Sequence, residues 1–159
     1  MSSRVAVMRS GRIEQLGTPR ELYEVPANDF VASFVGESTL LRAERAGTDA
    51  VRVGASVFRC GRRVPEGEHL ALALHAEKLI LDPTLAGHEW NQVQGRITDA
   101  IYQGESIKVS VMLDDGTPVS VRQHCHHRAM SALPGIGSPV MLSLHVNDTI
   151  VVPSAASRG

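Results

Sequence analysis

Hydrophobic positions along this chain follow two regimes that meet near Ser38. In the first, Val5-Ala6-Val7-Met8 is a short apolar run, Arg9-Ser10-Gly11 is a turn, and Arg12-Ile13-Glu14-Gln15-Leu16 alternates polar and apolar. Together they predict a β-hairpin. Gly17 breaks the strand and Thr18-Pro19-Arg20-Glu21 opens a helix. Thr18 can accept from the Glu21 amide, and Glu21 can reach back to the Thr18 amide. Proline fits the first helical position because its missing donor is not needed there. The helix carries Leu22 and Tyr23 and stops before Pro26. A second helix takes Asn28 as its N-cap, puts Phe30, Val31, Phe34 and Val35 on one face, and has Gly36 at its C′ position. Neither helix is long enough to stand alone. This apolar face is therefore expected to be orphaned, and either to pack across a homodimer or to fray.

From Ser38 onward the period shortens to two. Leu40 to Glu44 leads to a turn at Gly47-Thr48-Asp49, and Val51, Val53 and Val57 mark the return. Leu70, Leu72 and Leu74 alternate with Ala71 and Ala73. Val109, Val111 and Leu113 precede a hairpin turn at Asp114-Asp115-Gly116, and Val119 and Val121 return. Val140, Leu142, Leu144 and Val146 complete the series. Many short strands with glycine turns predict a barrel or sandwich. Residues 72–83 align with residues 142–153, and Gly67 aligns with Gly137 at the same offset. Two related β units explain this, each running strand, bend, strand, proline. Trp90, the single tryptophan, is expected to anchor the packing between them.

Composition narrows the function classes. The chain has 159 residues, 43% hydrophobic and 21% charged, enough for one domain or two small ones with a core. A net charge of −1 and an aromatic fraction of 4% supply neither a basic groove nor stacking platforms, which argues against a nucleic-acid partner. Cys60 and Cys125 are too few for a disulfide framework, so a reducing compartment is the simpler expectation. The first 30 residues are too charged for a secretory signal, and no apolar run reaches 18 residues, so no direct membrane insertion is expected.

The first segment closely resembles the end of the ATPase subunit of ABC importers. The resemblance rests on Arg4 to Met8, Gly11-Arg12-Ile13-Glu14-Gln15-Leu16-Gly17-Thr18-Pro19, Leu22-Tyr23, Pro26-Ala27-Asn28, Phe30-Val31 and Phe34-Val35-Gly36-Glu37. It is dense over roughly the first 40 residues and continues more weakly to the end. The remainder resembles the TOBE domain, an oligonucleotide-binding-like β module. Asn91-x-Val93-x-Gly95-x-Ile97 and Ile101-Tyr102-x-Gly104 fit that family. Leu74-His75-Ala76-Glu77-Lys78 stands where it commonly has Arg-Pro-Glu-Lys, with the arginine and proline replaced. Phe34 to Glu37 with Leu40-Leu41, and the Tyr102-x-Gly104 pair, look most like the spermidine/putrescine subgroup.

The resemblance implies a mainly β fold, with residues 1–37 the end of an ATPase domain and 38–159 a TOBE-type domain, in halves of roughly 38–88 and 89–153. It further implies the C-terminal piece of a longer protein, a regulatory and dimerising domain on the cytoplasmic face of the inner membrane. Its partners would be permease subunits and a second ATPase subunit. No lysine follows a glycine, so the phosphate-binding loop is missing, as are the Leu-Ser-Gly-Gly-Gln signature and the acidic magnesium strand. No catalysis and no cofactor are expected in this chain. ATP and magnesium belong to the longer parent.

Several residues invite a chemical role. His124, Cys125, His126 and His127 could bind zinc or copper. No second cysteine stands at metal spacing, and a strand would point them to alternate faces, so adventitious or no metal binding is the stronger expectation. Tyr102, Gly104, Glu77 and Lys78 are candidates for an effector or interface surface. Ser106 and Lys108 are possible donors to an oxyanion. Glu66, Glu68, Asp114 and Asp115 could attract a polyamine but are better read as solvated turn charges. His75 and His145, each at a strand end beside a bend, are expected to be hydrogen-bonded structural residues.

Overall fold

The computed structural model describes residues 4–35, 38–81, 84–85, 87–124 and 134–154. The chain opens with the hairpin β1 (Val5–Arg9) and β2 (Arg12–Gly17). Ser10 and Gly11 turn it with φ of 50° and 79°, the pair of positive values that a two-residue hairpin needs. Helix α1 (Pro19–Glu24) starts as expected, with the Glu21 amide donating to Thr18 Oγ1 at 3.1 Å. Helix α2 (Asp29–Phe34) starts with the Val31 amide donating to Asn28 Oδ1 at 3.0 Å. Val7, Leu22 and Val31 make a small core here, with Phe30 and Val35 packed against it.

The remaining strands form two sheets. The first half supplies β3 (Ser38–Arg45), β4 (Ala50–Val53), β5 (Ser56–Arg59) and β6 (Leu70–His75). The second supplies β7 (Trp90–Gln103), β8 (Ser106–Leu113), β9 (Pro118–His124) and β10 (Pro139–His145), then a 3-10 turn at Val146–Asp148 and β11 (Ile150–Pro153). All the sheet pairings are antiparallel, and the orders are β11-β6-β3-β4-β5 and β10-β7-β8-β9. Each half is thus a three-strand meander whose fourth strand returns to pair with the first. One core serves both sheets, including Val51, Phe58 and Leu72 from the first and Ile97, Val109 and Leu142 from the second. The fold is mainly β, curled in the manner of oligonucleotide-binding barrels, and built from two related halves.

The halves exchange their last strands. β11, which follows β10, pairs with β6, placing Ile150 opposite Ala73. Ile80, which follows β6, bridges Ser143 on β10, with reciprocal amide–carbonyl bonds of 2.9 and 2.8 Å. These two pairings are the same under the sequence offset that relates the halves. Two further links tie the far edges, and their acceptors, Ala76 and Val146, are matched by the same offset: Arg122 N–H to the Ala76 carbonyl at 2.9 Å, and Gly61 N–H to the Val146 carbonyl at 2.8 Å. Edge groups that would otherwise be left bare are thereby bonded.

One expectation needs correction. The return through Val51, Val53 and Val57 is not one strand: Gly54, with φ of 58°, and Ala55 turn it into the β4–β5 hairpin. Where Leu70, Leu72 and Leu74 alternate with Ala71 and Ala73, every residue of β6 is buried. Its leucines enter the common core, and α2 packs against β3 and β6.

The face expected to be orphaned is divided instead. Val31 is fully buried within the chain, as is its neighbour Ala32, and Phe30 and Val35 are half-buried. Only Phe34, 63% exposed, lacks cover. The reason is the docking of the helices on their own β module. Ser38 Oγ donates to the Ala32 carbonyl at 3.2 Å, Ser154 Oγ donates to Asp29 Oδ2 at 2.9 Å, and Arg62 reaches the Glu24 carbonyl at 3.4 Å. No helix among the described residues is long and apolar enough to cross a membrane.

Candidate functional site

The sequence candidates fall at two places. Glu77 and Lys78 lie in the turn after β6, and Tyr102 and Gly104 lie at the tip of the β7–β8 hairpin. Gly104 turns that hairpin with φ of 73°, and Tyr102 is 59% exposed beside the exposed Ile101. Arg122 spans the gap. Its amide bonds to Ala76, next to Glu77, while its guanidinium donates to Gln103 Oε1 at 3.3 Å. Lys108 stands directly opposite Arg122 in the β8–β9 register, on the outward face that alternates with buried Ile107 and Val109, and Ser106 stands opposite His124. Cys125, His126 and His127 lie outside the described residues. Among the described residues no cluster of histidine, cysteine or acidic side chains could hold a metal.

The turn after β6 is the more elaborate place. The Lys78 amide donates to the His75 carbonyl at 3.0 Å, and Lys78 Nζ lies 4.0 Å from Asp148. Glu77 accepts the hydroxyl of Tyr23 from α1. Burial, and then Glu77, hold that phenol well above the ordinary range, so it remains a donor. Tyr23 also stacks on His75, with ring centroids 4.1 Å apart. A cleft of about 310 Å³ opens beside the stack, lined by Glu24, Arg62, Asn147 and Asp148 as well.

The two matched histidines part company. His145 behaves as expected: its Nδ1 accepts from the Asn147 amide at 3.1 Å and its ring meets Trp90 edge-on at 5.0 Å. Trp90 thereby joins the start of β7 to the end of β10, and its carbonyl accepts from Arg59 at 2.7 Å. His75 does not follow. It is fully buried, and neither ring nitrogen has a hydrogen-bond partner among the described residues. Tyr23 covers the ring face, and its own hydroxyl goes past it to Glu77.

Burial lowers the His75 pKa, Lys78 adds to the effect, and Glu77, the Tyr23 backbone and Asp148 oppose it. A histidine whose folded pKa lies below its unfolded value of about 6.5 binds fewer protons folded than unfolded. Its contribution to stability is complete above that value and is lost as the pH falls through the folded pKa. Urea midpoints should accordingly drop between pH 7.5 and pH 5.5 in the wild type, and drop less in His75→Gln.

Two further groups sit in unusual surroundings. Burial and then Asp49 push the Cys60 thiol up to about 11, which leaves it protonated and unreactive. Asp115, one of the acidic turn candidates, is held below the usual carboxylate range by the Thr117 hydroxyl and amide. It also caps the Ala55 amide at 3.3 Å, a structural task that ties the second half to the first.

Sequence reasoning missed Tyr23 as a site residue, and no signal joins it to Glu77 across 54 positions. It also missed the work of Asn91, although the Asn91-x-Val93 pattern pointed at it. Asn91 Oδ1 accepts from the Arg59 amide at 2.9 Å, and its Nδ2 donates to the Arg59 carbonyl at 2.7 Å and to Thr149 Oγ1 at 3.0 Å.

These features define an oligonucleotide-binding-like β module of two interlocked halves, carrying a docked helical unit. The TOBE domain family matches residues 72–152, and the chain belongs to that family. It is similar to the sulfate/thiosulfate import ATP-binding protein CysA 2 of Chromobacterium violaceum, 41% identical over 104 residues that cover 65% of this chain and 28% of that protein. The spermidine/putrescine import ATP-binding protein PotA of Thermotoga maritima is 32% identical over 162 residues, covering 96% of this chain and 44% of that protein. PotA of Thermobifida fusca is 33% identical over 159 residues, covering 96% and 41%. The chain thus spans less than half the length of these relatives. Among solved structures, the cytoplasmic molybdate-binding protein ModG with molybdate bound shares the fold, with a TM-score of 0.56 and 13% identity over 72% of this chain and 96% of that one.

Proposed function

We propose that this chain is the regulatory and dimerising C-terminal domain of the ATP-binding subunit of an ABC importer for polyamines. The observation that supports this reading is the span of the PotA similarity. At 96% of the chain it takes in the N-terminal helical unit together with the β module. Hydrolysis, with ATP and magnesium, belongs to the parent's catalytic core, since this sequence lacks the phosphate-binding loop. The parent sits on the cytoplasmic face of the membrane, with permease subunits and a second copy as partners. A standing contact between two such domains keeps two catalytic cores at high effective concentration while they open and close.

Light scattering over a range of concentrations, with and without spermidine, tests this. The expected mass is that of a dimer. A monomer at every concentration, unchanged by spermidine, would remove the dimerising role. A small-ligand module for an oxyanion is the second reading. It is supported by the similarity to a sulfate/thiosulfate import protein and by the facing Lys108 and Arg122. Equilibrium dialysis with sulfate and molybdate separates the two, because saturable uptake favours the second reading.

A further inference from the structure

Besides the contacts of α2 with β3 and β6, the helical unit meets the β module at a stack of rings. Tyr23 of α1 lies over His75 at the end of β6, the ring planes 21° apart, and gives its hydroxyl to Glu77. His75 is fully buried beneath it with both ring nitrogens unbonded among the described residues. We propose that Tyr23, His75 and Glu77 form a proton-operated latch, which holds the N-terminal helices on the β module at neutral pH and releases them when His75 takes up a proton.

The two protonation states of the imidazole have different needs. A neutral ring stacks under a phenol without a counter-charge. An imidazolium in the same place is a buried cation, and it requires an acceptor. The charged groups around it come from every neighbouring element. Glu24 on α1 pairs with Arg20 at 3.1 Å. Asp148 of the 3-10 turn pairs with Lys78 at 4.0 Å. Arg62, after β5, lines the same cleft and, like Lys78, is a cation that disfavours a second one. The Tyr23 backbone favours the protonated ring but carries no counter-charge; Glu77 remains as the carboxylate, two residues from His75, and its bond is to Tyr23. A proton on His75 therefore competes with the phenol for one carboxylate. When the imidazolium wins, Tyr23 loses its acceptor and now faces a charged ring. Burial keeps the ring neutral through neutrality, which sets the closed state as the resting one. The latch rests on these contacts alone and not on the import reading.

Hydrogen exchange on the whole chain tests it, after correction for the intrinsic pH dependence of exchange. The reporters are the Leu22 and Val25 amides, which bond to the Thr18 and Glu21 carbonyls in α1. Their protection should fall by up to about tenfold per pH unit between the unfolded imidazole value of about 6.5 and the lower His75 midpoint, and level off below it, while β7–β8 amides stay protected. His75→Gln keeps a neutral polar side chain with no proton to gain, so its α1 protection should be equal at pH 7.5 and pH 5. Tyr23→Phe keeps the stack but frees Glu77, so the His75 midpoint, read from its ring proton by NMR, should rise. Equal α1 protection at both pH values in the wild type would overturn the latch. So would undiminished pH dependence in His75→Gln. Should that variant fail to fold, an unchanged His75 midpoint in Tyr23→Phe would overturn it instead.

Discussion

Phe58→Ala should lower the unfolding free energy by about 3–5 kcal/mol, the largest loss expected from any single truncation in this chain. Phe58 is the largest of the fully buried side chains among the described residues, at 1% exposure. It lies on β5, opposite Val51 on β4, in the core common to both sheets. Removing the ring takes away the transfer energy of its carbons. It also leaves a cavity that the surrounding β-branched side chains, stiff about χ1, cannot close. The check is urea unfolding, in which the midpoint should fall with the slope unchanged. A loss below about 1 kcal/mol would mean that the two sheets can approach one another to fill the space.

Asn91→Ala follows, with an expected loss of about 2–4 kcal/mol from a much smaller change in volume. Asn91 is nearly buried on β7, yet it serves the backbone of Arg59, where β5 ends, on both its donor and acceptor sides, and Thr149 besides. Alanine would strand the Arg59 amide and carbonyl at a seam that water does not reach freely. Asn91→Asp makes the sharper comparison. It can still accept from the Arg59 amide but cannot donate to the carbonyl, and it adds a charge to a buried place. It should be no more stable than the alanine variant. Recovery of full stability in either would show that the Arg59 backbone finds other partners.

Local chemistry made part of this fold legible in the sequence. The Thr18 and Asn28 caps, the Ser10-Gly11 turn and the Asp114-Asp115-Gly116 turn each depend on residues within four positions, and each appears where the residue types require it. The repeat was legible because the offset joining Ile80 to Ile150 also joins His75 to His145. What the repeat could not reveal is that its units trade strands, since alternation marks a strand but not its partner. The Gly54 turn was hidden because Val51, Val53 and Val57 keep period two across it. The orphaned face was misjudged because Ala32, Ala71 and Ala73 are small, and small residues look neutral in a pattern. All three are buried, and α2 packs against β6. Of the candidate site, Glu77 and Lys78 were visible from the family pattern. Tyr23 and the unbonded His75 were not, because only folding brings α1 to the end of β6.

The traded strands also set the order of events on the ribosome. Ala73 is made early but must wait for Ile150, and Ser143 must find Ile80, laid down long before. Neither sheet has its full complement while the first half is the only part synthesised. The emerging chain therefore carries an open β6 edge next to a buried-type leucine face until β11 leaves the exit tunnel. Closure is then a single late event dominated by contacts distant in sequence, and slow compared with the making of α1 and α2.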